Sequence, residues 1–416
     1  MSLPERLSWR QYSPADTFGQ DAVDWQSRVD FPRLREQRLQ RTREAMRNAG
    51  VEALLLSLGD NIRYATGAFQ GHWKYAPAIR YCVVTMDREP VLFELANIDF
   101  DNAVADQSWL DVRPAIAWRM TEAAADEYLR RMIDTVRDVL AERGISTDRI
   151  AADTREPELV AAFAQRGTDV LDGQALMMLA RVKKLPDELE LLKQGCAIGD
   201  ACFWQMKYRW IEPGMREREL VGEISRYLFS QGFEHISQIF CASGGGTNPY
   251  RRWFSDRMMR SGDFVIVDLN AAGPGGYYVD FVRTLRVPGP TTSNQRDCYR
   301  RCHELLQRTL AAMRPGATTA DVAAQLPADD DDRLKTVSLV SQAHAIGLSL
   351  ADGRWISRGF SLEHPTVLEP GMFFAVETYA ADPDGEQGAR LEDNVVITES
   401  GCQRFSLFEY EDDLLL

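Results

Sequence analysis

Apolar residues first recur at helical spacing from Leu34 to Arg47, among many arginines, and Gly50 closes that segment. Val51–Leu58 (VEALLLSL) follows as an uninterrupted apolar run of strand length. Ala78–Met86 and Pro90–Leu95 predict two more strands joined at Asp87–Arg88. Thr121–Arg143 predicts a long amphipathic helix closed by Gly144, Ile150–Ala152 a short strand and Glu156–Gln165 a helix. Strand alternating with helix through residue 175 predicts an α/β domain.

The pattern shifts near residue 180. Basic residues crowd at Arg181, Lys183 and Lys184, and Pro186 opens a strong helix that ends at Glu212-Pro213-Gly214. A second helix is predicted over Glu217–Gln231. The arrangement recurs where a helix over Arg296–Met313 ends at Arg314-Pro315-Gly316 and Thr319–Leu326 follows as another. Strands lie between. Helix, Pro-Gly turn, helix and strands, repeated, predict an α+β domain of two pseudo-twofold halves with a site where they meet. The predicted organisation is an arm over residues 1–30, an α/β domain over 31–180 and the two-halved domain over 181–416.

Composition narrows the partners. At 416 residues, with 45% hydrophobic content, the chain can build two cores. A net charge of −14 argues against nucleic acid and against an anionic membrane surface. The start, MSLPERLSWRQ, shows no secretory pattern, and seven scattered cysteines suit free thiols in a reducing cytoplasm. Cys298 and Cys302, beside His303, lack a second ligand pair at zinc spacing and are expected in the core. The acidic run 329–332 is expected to be a solvated loop. The glycine-flanked loop Gly67–Pro77 concentrates His72, Trp73, Lys74 and Tyr75, the content of a binding loop.

Acids in apolar strands carry the chemistry. Gly262–Thr284 (GDFVIVDLNAAGPGGYYVDFVRT) predicts a hairpin with Asp268 on one arm and Asp280 on the other. His344 sits in the apolar SQAHAIGLSL, Glu377 within GMFFAVETYA and Glu392 at the head of RLEDNVVIT. Two bare carboxylates in a core repel each other and resist desolvation, and a cation between them removes the difficulty. Four carboxylates and one imidazole form a hard, oxygen-rich ligand set. It suits two divalent cations about 3.5–4 Å apart with a bridging water. Manganese, iron, cobalt and zinc all accept such ligands.

With these motifs in order, the chain resembles the pita-bread enzymes, which include prolidase, aminopeptidase P, methionine aminopeptidase and creatinase. The resemblance spans roughly residues 30–412 and rests on VDLN, YYVDFVRT, HAIG, EPGMFFAVET and RLEDNVVIT. It implies a creatinase-like N-terminal domain, a pita-bread catalytic domain and a homodimer in which Gly67–Pro77 reaches the neighbouring site. It also implies metal ligation by Asp268, Asp280, His344, Glu377 and Glu392. The departures are specific. Where the peptidases carry an upstream histidine, SGGGTNPYRRWF places Tyr250, Arg251 and Arg252, and where a second histidine follows the ligand histidine stands Ala351. Together with SGGGTNP, the longer spacing from Asp268 to Asp280 is similar to the dimethylsulfoniopropionate lyase branch. Yet Asn270 and Leu350 stand where that branch has aspartates, with Asp352 close by.

Two chemistries follow. A two-metal hydrolase would cleave a C–N bond of a small, peptidic or amidic substrate with a metal-bridging hydroxide, Glu377 orienting or deprotonating the water. Tyr250, His364, Asp352 or the neighbour's His72 would then move protons. His72, Trp73, Arg252 and Trp253 would contact substrate. A lyase would instead use a side-chain base, Asp352 or a tyrosine, to drive β-elimination. A non-catalytic, metal-free protein is the third reading, against which the intact ligand set argues.

Overall fold

The computed structural model describes residues 25–69, 79–96, 98–118, 123–154, 156–326, 342–382 and 385–415. The binding-loop residues His72, Trp73, Lys74 and Tyr75, most of the predicted arm and the acidic run 329–332 lie outside them. The chain divides into two units, Met1–Arg181 and Val182–Leu416.

The first unit is a mixed six-stranded sheet with helices. Helix α1 (Phe31–Asn48) starts where the Asp30 carboxylate accepts the Arg33 N–H. Strand β1 (Ala53–Leu56) is wholly buried, as its apolar run requires. Then come α2 (Gly59–Thr66), β2 (Tyr81–Thr85), β3 (Val91–Glu94), α3 (Ile98–Asp106) and β4 (Asp111–Pro114). After them run α4 (Ala125–Glu142), β5 (Arg149–Ala152), α5 (Pro157–Ala164), β6 (Asp169–Asp172) and α6 (Gly173–Arg181). The sheet order is β4-β3-β2-β1-β5-β6, parallel for β1–β5, β5–β6 and β3–β4 and antiparallel elsewhere. Residues of α4, among them Met132, Ile133, Val136 and Leu140, cover the sheet's apolar side chains.

The second unit places the acids. Helix α7 (Pro186–Gln205) runs into one π-turn over Met206–Trp210, and α8 (Glu217–Ser230) follows. Strands β7 (His235–Ser243), β8 (Phe264–Ala272) and β9 (Tyr278–Arg286) form an antiparallel sheet. Helix α9 (Ser293–Ala312) begins with a reciprocal Thr292–Gln295 cap and precedes the short α10 (Thr319–Ala323). A second, five-stranded sheet runs β11-β10-β12-β13-β14. Its members are β10 (Ala343–Ala345), β11 (Trp355–Ile356), β12 (Phe373–Ala381), β13 (Gly388–Ile397) and β14 (Cys402–Arg404). The single-turn α11 (Arg358–Ser361) sits between β11 and β12, and α12 (Asp412–Leu415) ends the described chain. The predicted repeat is present as two helix pairs, each with a sheet. Both Pro-Gly turns bring their glycine to positive φ, at Gly214 and Gly316.

Every residue of β8, β12 and β13 is buried, so the expected continuous apolar strands are central ones. The connection between β8 and β9 holds Gly275 at φ 70°, and a β-carbon there would sit 2.9 Å from the Leu191 side chain. Side chains tie β9 to β13. The Asn394 carboxamide accepts the Asp280 N–H at 3.3 Å and donates to the Asp280 carbonyl. The Arg283 guanidinium donates to the Glu392 carbonyl at 2.7 Å, and the Thr284 hydroxyl to the Arg390 carbonyl at 2.7 Å. The two sheets therefore meet along the strands that carry the acids.

Candidate metal centre

Asp280, His344 and Glu392 arrive from β9, β10 and β13, one residue from each. One ligand atom of each lies within 4.8 Å of the others, and all three are buried. The His344 Nε2 stands 3.2 Å from the Asp280 Oδ2. Both Glu392 oxygens and the His344 Nδ1 are buried without a hydrogen-bond partner among the described residues. An uncompensated buried carboxylate is strongly unfavourable. Burial, and then the charges of Asp280 and Glu377, hold the Glu392 carboxyl well above the usual range. For His344, burial works against the charged form, but the hydrogen bond and charge of Asp280 outweigh it and raise the pKa. The donor set, two carboxylates and an imidazole converging with bare oxygens, fits a divalent cation.

Asp268 and Glu377 form the other side of the cluster, with Arg390 between them. On the β12–β13 pair Glu377 lies opposite Glu392, which makes Arg390 its diagonal neighbour on the same face. The Arg390 guanidinium is ion-paired to Glu377, and its Nε is 3.9 Å from Asp268 Oδ2. Burial lowers the Arg390 pKa, but Glu377 and then Asp268 overcome that and raise it. The Asp268 carboxyl is pushed up to about 7 by burial and by Asp280, while Arg390 and the Asn270 amide pull it back. Part of the neutralisation expected from two cations is thus already supplied by a guanidinium.

Tyr250 is brought to the same place. Its hydroxyl donates to Asp268 Oδ2 at 3.4 Å, and its ring lies under Arg390, 5.2 Å from the guanidinium carbon. Burial, then the charge of Asp268, raises its pKa well above the ordinary phenol value. Arg252 and Trp253 are exposed on the same loop, Trp253 in an edge-on ring contact with Phe240, whose backbone faces Asp268 across β7–β8.

Two expected proton carriers are elsewhere. Asp352 is not an available base, because its side chain is 1% exposed and ion-paired with Lys184 at 2.9 Å. His364 lies exposed on the turn after α11 and is not part of the ligand cluster. Ala351, at the place of a peptidase histidine, is exposed.

Sequence reasoning assigned no role to Arg390, Trp355 or Lys184. Arg390 had a legible signal, a cation two residues before Glu392 and so on its face of the strand. Trp355 stacks on His344, and only the pairing of two very short strands reveals that. Lys184 meets Asp352 across 168 residues, which no local pattern reports.

The fold is that of a two-domain pita-bread protein. Residues 190–399 match Metallopeptidase family M24, and residues 38–182 match the Creatinase/Prolidase N-terminal domain. The chain belongs to the M24 metallopeptidase family, with the creatinase-like N-terminal and pita-bread C-terminal domains that the sequence led us to expect. A probable dipeptidase PepE of Mycobacterium tuberculosis is 31% identical over 242 residues, 56% of this chain and 61% of that relative. The chain therefore aligns with less than two thirds of that dipeptidase. A dimethylsulfoniopropionate lyase DddP of Roseovarius nubinhibens is 23% identical over 416 residues, covering 96% of this chain and 91% of the lyase. Among solved structures, an Xaa-Pro dipeptidase from Bacillus anthracis superposes with a TM-score of 0.72 at 22% identity, covering 90% of this chain and 98% of its own. No described helix is long and apolar enough to cross a membrane.

Proposed function

We propose that this protein is a metal-dependent hydrolase that cleaves a C–N bond in a small, dipeptide-like substrate. Asp280, His344 and Glu392 would hold one divalent cation, and Asp268 and Glu377 would share in a second. The observation that carries the reading is Glu392, a buried carboxylate with both oxygens unpartnered beside Asp280 and His344. Bound cations supply Lewis acidity and an activated water to such a site.

The chain's own residues account for the rest. Glu377, its carboxylate held by the ion pair with Arg390, would orient the attacking water. Tyr250 stays protonated because burial and Asp268 oppose its ionisation, so it serves as a hydrogen-bond donor to the reacting group. Arg252 and Trp253, exposed on the same loop, receive the substrate's outer end. The same reading includes a cytoplasmic homodimer, which light scattering of the purified chain tests.

Elimination is the second reading, favoured by the near full-length likeness to the lyase. It needs a base at carbon, and neither the protonated Tyr250 nor the ion-paired Asp352 offers one. The deciding experiment loads the protein with manganese, cobalt or iron and supplies Xaa-Pro and other dipeptides in oxygen-18 water. Label in the product carboxylate supports hydrolysis. An ultraviolet-absorbing alkene from dimethylsulfoniopropionate, with no dipeptide turnover, sinks it. Fewer than one equivalent of metal after gentle purification, with a melting temperature indifferent to chelators, would remove the metal reading altogether.

A further inference from the structure

We propose that the buried ion pair between Lys184 and Asp352 is a positioning device that aims His344 into the candidate metal centre. The inference rests on the metal reading above. Its starting point is the weakness of the element that bears His344. Strand β10 has only three residues, held between the two-residue β11 and Phe374–Val376 of β12. These short ladders fix the backbone of His344 but leave the direction of its imidazole to what packs around it.

The ion pair supplies what the ladders lack. Both side chains are 1% exposed, and Nζ lies 2.9 Å from Oδ2. Lys184 is itself anchored to the strand of Glu377. Its N–H donates to the Gly371 carbonyl at 2.7 Å, and Lys183 bridges Met372, immediately before β12. Asp352 is anchored to the strand of His344. Its N–H donates at 2.7 Å to the carbonyl of Ala345, the residue after the ligand histidine. The pair therefore joins the start of β12 to the His344 hairpin.

A third ligand strand is tied to the same point. The turn between His344 and Asp352 passes over the ion pair at Gly347. A β-carbon there would overlap Asp352 Oδ2 and come within 2.8 Å of Lys184 Nζ. The Gly347 carbonyl accepts the N–H of Tyr278 at 2.7 Å, two residues before Asp280. One charged pair thus coordinates the approach of β9, β10 and β12. Buried pairs add little net stability over an apolar replacement, so orientation is the more fitting role.

The test uses the full chain and Mn2+ as the probe. Affinity is measured by calorimetry well below the melting temperature, alongside kcat and KM on a dipeptide. In Asp352→Asn we expect Mn2+ affinity to fall by about 10- to 100-fold, the range for residues that orient metal ligands. The fall should come with an unchanged circular-dichroism spectrum, and kcat should drop more than KM rises. Lys184→Arg, which keeps the charge, should recover part of the affinity. The double variant Lys184→Met/Asp352→Leu fills the same space without charge, and should recover melting temperature but not affinity. Wild-type affinity in Asp352→Asn overturns the proposal. If that variant does not fold, wild-type affinity in the folded double variant overturns it instead. A wild-type chain that binds no Mn2+ removes the metal reading and this inference together.

Discussion

The indole of Trp355 lies over the imidazole of His344, with ring centroids 5.2 Å apart and planes inclined by 25°. The two residues face each other across the β10–β11 pair, and Trp355 is still 45% exposed. One ring thus steadies a candidate ligand while presenting aromatic surface to solvent. Such a stack contributes about 0.5–1.5 kcal/mol beyond area burial. Trp355→Ala should therefore weaken Mn2+ binding by roughly two- to tenfold, and Trp355→Phe should restore most of it. Metal titration should also change tryptophan emission in the wild type and much less in Trp355→Phe. Equal affinities in all three proteins would show that the stack does not steady the histidine.

Arg390 offers a different test, because it makes the metal-free centre tolerable. Its guanidinium compensates Glu377 and approaches Asp268 in a buried setting. Removing one partner of a buried pair typically costs about 3–5 kcal/mol. Arg390→Met should lose stability on that scale in chelator, and the loss should shrink when Mn2+ is added. Urea unfolding with and without metal measures both. A loss of the same size in each condition would mean that the guanidinium and the cation do not share the neutralisation.

What could be read from the sequence divides along a physical line. Central strands such as β8 and β12 are buried on both faces, so their composition is mostly apolar and an acid within them stands out. That is why Asp268 and Glu377 could be singled out, while Asp280 and Glu392 were marked by the apolar runs beside them, on β9 and β13. The polar edge strand β4 (DVRP) has no such contrast and was not foreseen. Nor was β7, whose pattern mixes buried and half-buried positions. Asp352 shows the limit for single residues. In sequence it is an acid near a ligand histidine, but only the tertiary structure brings Lys184 to it and removes it from the list of bases.

The titrating groups of the centre predict the sign of a pH effect in chelated protein. Asp268 is raised to about 7, and Glu392 and His344 are raised as well. A raised pKa in the folded state means that folding takes up protons. These groups contribute stability that is full below their unfolded values, about 4 for the carboxylates and 6.5 for the histidine, and is lost as pH rises through the folded values. With chelator, the melting temperature should be higher at pH 5.5 than at pH 8.5. Mn2+ replaces the protons, so its stabilisation should grow with pH. Asp268→Asn should flatten the metal-free slope. A chelated protein whose stability rises across this range would contradict the prediction.

Glu217 controls the loop that carries Tyr250. It is the first residue of α8 and only 3% exposed. Its Oε1 accepts the N–H and hydroxyl of Ser243 at 2.8 and 2.6 Å, and its Oε2 accepts the same two groups of Ser255 at 2.8 and 2.6 Å. One carboxylate therefore pins both ends of the segment between Ser243 and Ser255, with Tyr250, Arg252 and Trp253 inside it. Hydrogen bonds to a charged acceptor contribute about 1.5–3 kcal/mol each and do not simply add. In Glu217→Gln the new amide group can no longer accept from one of the two backbone N–H donors, so one end of the loop is released. We expect a loss of about 2–4 kcal/mol in urea unfolding. Amide exchange should quicken at Ser243 or Ser255, and KM should rise more than kcat falls, because the ligand strands are untouched. If exchange at both serines stays slow while stability drops, Glu217 supports the helix start rather than the loop.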